Sequence, residues 1–179
     1  MFPLGHIGLT LALVVGARRW VVDLRVDYRL LLVATLLPDL IDKPLSLAFG
    51  IGGRNIAHTL LFALTLTALF VWVRPRSVET SNRAVWSAAF LALAIGTWTH
   101  LLLDRMWELP EVLFWPFLGP GFPLDTFDPF NFLEAYRDPY VLIGDILGAL
   151  VLGYLAWRHR IYRRANFMRF LRKGGLAPS

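Results

Sequence analysis

The chain is 179 residues long and 56% hydrophobic, with a mean hydropathy of +0.55 and a formal charge of +5. That composition excludes an ordinary soluble domain. Cysteine is absent, so there is neither a disulfide framework nor a thiolate metal site, and any metal must be held by nitrogen and oxygen.

Apolar runs fall at about 7–17, 30–41, 56–73, 84–103 and 140–157. Roughly 20 mostly apolar residues are needed to cross a bilayer as a helix. The runs therefore predict an all-α, polytopic integral membrane protein with about five transmembrane helices. The first two are short and reach spanning length only with His6, Asp39 and Asp42 inside them. No basic segment precedes the first run, so it is expected to be a retained helix rather than a signal peptide. Pro38, inside the second run, predicts a kink or break that frees backbone groups at membrane depth.

Arginine sets the expected orientation. Arg18, Arg19, Arg25 and Arg29 separate the first two runs, and Arg74, Arg76 and Arg83 separate the third from the fourth. Arg158, Arg160, Arg163, Arg164, Arg169, Arg172 and Lys173 follow the fifth, leaving Lys43, Arg54, Arg105 and Arg137 for the other face. The N-terminus is thus expected outside and the C-terminus inside. A helical membrane domain should cover residues 1–158 and a basic amphipathic tail residues 159–179. On the tail, Ile161, Met168 and Leu171 share a helical face, a pattern suited to the anionic inner leaflet. No soluble basic domain offers a groove, so nucleic acid is not an expected partner.

The outer connection, residues 105–139, is dense in proline and in aromatics from Trp107 to Tyr136, including Phe127 and Phe130. Its prolines preclude a long helix. Its apolar content fits a lid, a binding loop or an aromatic belt at the headgroups.

The ionisable residues of the apolar runs follow one rule: they come early in odd runs and late in even ones. His6 opens the first, Asp39 and Asp42 end the second, His58 opens the third, and His100 and Asp104 end the fourth. Alternating helices bring all of them to one membrane face. Histidine and carboxylate are ligands for zinc and similar ions, and ionisable groups at membrane depth are costly unless they serve a site. His100 and Asp104 are four apart and share a helical face, as do Asp39 and Asp42, three apart. Asp42 also adjoins Lys43, which is expected to take up part of its charge. Arg54, four residues before His58, suits a phosphate, which a guanidinium can grip bidentately. Asp145, early in the fifth run, is a candidate further ligand or an outer partner orienting a histidine, and Thr59 is a candidate for the same outer layer. His159 is expected to be a solvated tail residue. No serine-hydrolase elbow, HExxH motif, phosphate-binding glycine loop or dinucleotide fingerprint occurs.

Through PLGH (His6), LLPDLID (Asp39, Asp42), RNIAHT (Arg54, His58, Thr59), THLLLD (His100, Asp104) and FWPF (Trp115, Pro116), the chain resembles the YdjM-like membrane-bound metal-dependent hydrolases, also described as LexA-regulated inner-membrane hydrolases. It departs from that pattern at Asn55, Ala57 and Trp107. The family is distantly similar to the zinc-dependent phospholipase C and single-strand nuclease group. The resemblance implies Asp39, His58, His100 and Asp104 as core ligands, with His6 and Asp42 adjoining.

The expected function is hydrolysis of a phosphoester, a lipid headgroup or lipid-linked phosphate reached beneath the 105–139 loop. It would occur on the extracytoplasmic side of the cytoplasmic (inner) membrane, with one or two divalent ions, zinc foremost. Asp42 or His6 would serve as general base, second-ion ligand or orienter, and Arg54 would bind the phosphate. Two rival expectations are a metal- or proton-coupled transporter and a non-catalytic membrane interaction protein. The near absence of ionisable groups from the inner halves of the runs argues against the transporter.

Overall fold

The computed structural model describes residues 1–18, 20, 26–74, 82–123 and 132–175. Among these the chain is helical throughout, with no strand. The helices are α1 (Pro3–Ala17), α2 (Tyr28–Ala34), α3 (Leu37–Phe49), α4 (Leu60–Val73), α5 (Asn82–Leu103), α6 (Pro110–Leu113), α7 (Pro139–Arg158) and α8 (Arg164–Lys173). Local chemistry sets several of the boundaries. The carboxylate of Asp27 accepts the Arg29 and Leu30 amides at the start of α2, and the Thr59 hydroxyl accepts the Phe62 amide at the start of α4. Gly50, at φ 63°, ends α3 in the left-handed region that glycine enters without a Cβ penalty.

The second apolar run is not one continuous helix, in line with the break expected at Pro38. It divides at Thr35–Leu36 into α2, of 7 residues, and α3, of 13. Pro38 supplies the reason. It lacks the N–H that the Ala34 carbonyl would need, while being well tolerated in the first turn of a new helix.

Five membrane-length helices are expected; among the described residues two are long and apolar enough to cross by themselves: α5, with 22 residues, and α7, with 20. α1 and α4 are apolar but have 15 and 14 residues, about 22 Å at 1.5 Å per residue, against the ~30 Å of a hydrocarbon core.

Small residues bring the helices together, and large apolar side chains face outward. Glycine and threonine line the contacts, while Leu150, Val71 and Trp72 stand outside at 65, 64 and 79% exposure. A Cβ on Gly8 of α1 would run into the backbone of Gly148 of α7, and one on Gly96 of α5 into Ala34 of α2. Helices this close depend on the missing side chains. Thr10 donates to Thr99 at 2.9 Å, closing α1 on α5.

Each long helix has a chemical polarity. α1, α4 and α7 begin near His6, His58 and Asp145 and end near Arg18, Arg74 and Arg158, while α5 runs the opposite way, from Arg83 to His100. The Gly5 amide donates to Asp145 at 2.9 Å, which fixes α1 and α7 as a parallel pair. One end of the bundle therefore gathers histidine and aspartate, and the other gathers arginine.

At the arginine end α8 folds back on the bundle. Phe170 packs against the core formed by Leu11, Val14, Tyr28, Leu31 and Leu155. The Tyr28 amide donates to the Gly174 carbonyl at 2.9 Å, and Arg29 donates to the Leu171 carbonyl at 2.6 Å. Side-chain hydrogen bonds from Arg29 hold Asp27 below the usual carboxylate range.

The described residues of the 105–139 connection form, as its prolines require, short turns: Met106–Glu108, α6 and Phe132–Arg137. Met106 and Val112 pack on Ala63 and Leu101, whereas Trp107, Phe114 and Phe117 remain exposed. Phe127 and Phe130 lie outside the described residues, as do Arg19, Arg25 and Arg76 of the basic set.

Candidate metal centre

Four side chains from three elements converge at the acidic end: Asp39 from the first turn of α3, His58 from the 3-10 turn before α4, His100 from the last turn of α5, and Asp104 just beyond it. One ligand atom from each lies within 4.8 Å of all the others. Their separations are 3.2 Å between the two Nε2 atoms, 3.6 and 3.9 Å from these to Asp39 Oδ1, and 4.0 and 3.8 Å to Asp104 Oδ2. Bonds of 2.0–2.2 Å to a tetrahedral ion imply edges of about 3.3–3.6 Å. These five edges lie within a few tenths of an ångström of that range, and the sixth, between the two carboxylates, is no longer than 4.8 Å.

Hydrogen bonds behind each residue aim these atoms inward. His100 Nδ1 lies 2.7 Å from the Thr35 carbonyl. A carbonyl only accepts, so Nδ1 carries a hydrogen, and in the neutral ring Nε2 faces the centre bare. The break between α2 and α3 makes this possible, because Thr35 O would otherwise serve the Asp39 amide. His58 Nδ1 lies 2.7 Å from Asp42 Oδ2, and the Asp42 carboxylate also accepts the amides of Asn55, Ala57 and His58 at 2.7, 3.1 and 3.2 Å. His58 Nδ1 is therefore a donor too, which in the neutral ring leaves its Nε2 bare. Two lone pairs 3.2 Å apart repel unless a cation lies between them.

The carboxylates follow the same scheme. Asp39 Oδ2 takes Lys43 Nζ at 2.6 Å, leaving Oδ1 inward. Asp104 Oδ1 takes His6 Nε2 at 3.0 Å and the Met1 ammonium at 2.5 Å, leaving Oδ2 inward. Partners of this kind orient and tune metal ligands.

Several expectations are corrected here. His6 is not among the converging atoms: it stands behind Asp104 and stacks on the His100 ring with centroids 4.1 Å apart. Of the roles expected of Asp42, base, second-ion ligand or orienter, its position matches the last: it is 0% exposed and committed to His58 and three amides, so it does not face the site as a base would. Lys43 pairs with Asp39, not with Asp42. Asp145 orients no histidine, because its two oxygens accept from Gly5 N and from Tyr136 Oη at 3.0 Å. Burial, with the Asp145 carboxylate second, raises the Tyr136 hydroxyl above its ordinary range. Thr59 caps α4, and its own hydroxyl donates to the Ile56 carbonyl at 2.7 Å. The sequence reading missed Thr35, whose contribution is a backbone carbonyl, and Asn55, whose amide holds Asp42.

The opening of the site follows from exposure. His58 and His100 are fully buried, Asp104 is 5% exposed, Asp39 16%, Arg54 36% and Lys43 41%. Arg54 Nε lies 3.5 Å from Asp104 Oδ2. The mouth thus carries two cations, each set beside a converging carboxylate. An N2O2 donor set without sulfur suits zinc and neighbouring divalent ions.

The family model for the YdjM inner membrane protein matches residues 1–164, and the chain belongs to that family. No curated protein and no solved structure matches it.

Proposed function

We propose that this YdjM-family inner membrane protein is a metal-dependent hydrolase of phosphoesters, acting on a lipid headgroup or lipid-linked phosphate. The observation that carries the reading is the pair of bare, fully buried imidazole nitrogens 3.2 Å apart, with two carboxylate oxygens closing on the same point. A divalent ion held there, zinc foremost, would supply Lewis acidity and an activated water at neutral pH.

The chain's own residues do the rest. Asp39, His58, His100 and Asp104 hold the ion, while Asp42, Thr35 O, His6 and Lys43 fix the ligands. Arg54 and Lys43, at the mouth, bind and orient an anionic phosphate, for which a guanidinium's forked donors are suited. The neighbouring apolar surface of Leu40, Ile56 and Trp107, each about half exposed, favours a substrate with an acyl or prenyl part.

In the proposed topology the N-terminus and the site lie outside and the C-terminus inside. α1, α4 and the broken α2–α3 pair cross together with α5 and α7. A broken crossing is tolerated where it lines a site. Single cysteines test this in the cysteine-free chain. Leu24→Cys, Glu79→Cys and Ala165→Cys should be shielded from an impermeant thiol reagent in intact cells, while Gly121→Cys should react. Labelling at 79 with protection at 121 would invert the topology.

For the reaction, full-length protein in vesicles should release phosphate or a phosphorylated headgroup from lipid phosphoesters, stop on chelation and recover with zinc. Metal-loaded protein that leaves both lipid and soluble phosphoesters intact would overturn the reading.

A further inference from the structure

A second surface lies at the opposite end of the bundle. After Asp145 the sequence contains no acidic residue, yet it holds Arg158, Arg160, Arg163, Arg164, Arg169, Arg172 and Lys173. Arg160, at φ 49°, makes the left-handed turn that reverses the chain from α7 into α8. The Asn166 side chain braces the turn by donating to the carbonyls of His159 and Arg160 at 3.4 and 3.2 Å. The Tyr28–Gly174 and Arg29–Leu171 bonds hold the far end of α8. The helix is therefore fixed at both ends rather than trailing.

At 100° per residue, Phe170 occupies one edge of the apolar arc of α8 and packs on the core. Phe167, Leu171 and Met168 continue that arc away from the core and remain 44, 44 and 36% exposed, with Trp157 at 67% close by in the chain. Arg169, Arg172 and Lys173 take the other side.

We infer that this face of α8 binds the anionic phospholipid surface of the leaflet at the arginine end, with Phe167, Met168 and Leu171 seated among the upper acyl segments and the arginines on the phosphates. Charge complementarity commits the occupant: an unbroken positive field beside an apolar strip matches a negatively charged interface and no neutral one. Lipid binding itself does not depend on the hydrolase reading.

The test uses the full chain with Met168→Cys carrying an environment-sensitive fluorophore, in phosphatidylcholine nanodiscs with or without phosphatidylglycerol. Anionic discs should shift the emission to the blue and allow quenching by lipid-borne nitroxides, and high salt should diminish both effects. In the same background, Arg164→Gln, Arg169→Gln and Arg172→Gln should each lower the seated-to-free ratio in anionic discs about fivefold. The labels should behave alike in neutral discs. Equal emission in the two discs, an anionic response untouched by salt and by the arginine variants, or shielding that depends only on protein density and so reports a second copy, would each overturn the inference.

Discussion

Asp104→Asn should leave the purified protein without bound metal and without hydrolytic activity. The carboxylate supplies one of four converging atoms through Oδ2, while its Oδ1 anchors His6 and the Met1 ammonium. An amide keeps the shape but loses the charge that offsets the ion. His100→Ala should act similarly, since it removes a bare nitrogen 3.2 Å from its neighbour. His6→Ala provides the contrast: His6 meets the outer oxygen of Asp104 and stacks on the His100 ring but offers no converging atom, so its loss should weaken metal affinity by about 10–100-fold without abolishing binding. Chelator competition on the three variants separates these outcomes. A full metal complement in Asp104→Asn would remove that residue from the ligand set.

Asp42→Asn should be the most damaging change to the fold. Its carboxylate is wholly buried and accepts from the Asn55, Ala57 and His58 amides and from His58 Nδ1. Asparagine offers one oxygen where two are needed, and turns an N–H group toward donors. Breaking a buried charged network in this way costs about 3–5 kcal/mol, which lowers an unfolding midpoint by on the order of 10 °C in a chain of this size. The loss should persist in chelator-stripped protein, because it comes from the α3–α4 junction and not from the ion. Asp104→Asn should change the midpoint of stripped protein far less. Equal midpoints for stripped wild type and stripped Asp42→Asn would refute the structural role of Asp42.

These two residues also show where the sequence is legible. The gathering of histidine and aspartate at one end could be read from their positions in alternate apolar runs, because charge at membrane depth is too costly to be incidental. Pro38 announced the break in the second run. What could not be read was which residue stands behind which. Lys43 adjoins Asp42 in sequence, but neighbours on a helix point apart, while residues four apart face each other. The lysine therefore serves Asp39 and leaves Asp42 to His58. Thr35 was invisible because its carbonyl, not its side chain, holds His100, and any residue at a helix break offers a carbonyl. His6 looked like a ligand by position alone. Only the geometry places it behind Asp104, where its Nε2 meets the outer oxygen and its Nδ1 has no hydrogen-bond partner among the described residues.

The measurement that bears most directly on the account is elemental analysis of full-length protein purified, without chelators, from metal-replete cells and shown to be folded. The account predicts at least one equivalent of a divalent ion, zinc foremost, that is lost in both His100→Ala and Asp104→Asn. Folded wild-type protein carrying no stoichiometric metal, and taking up none on titration, would contradict it.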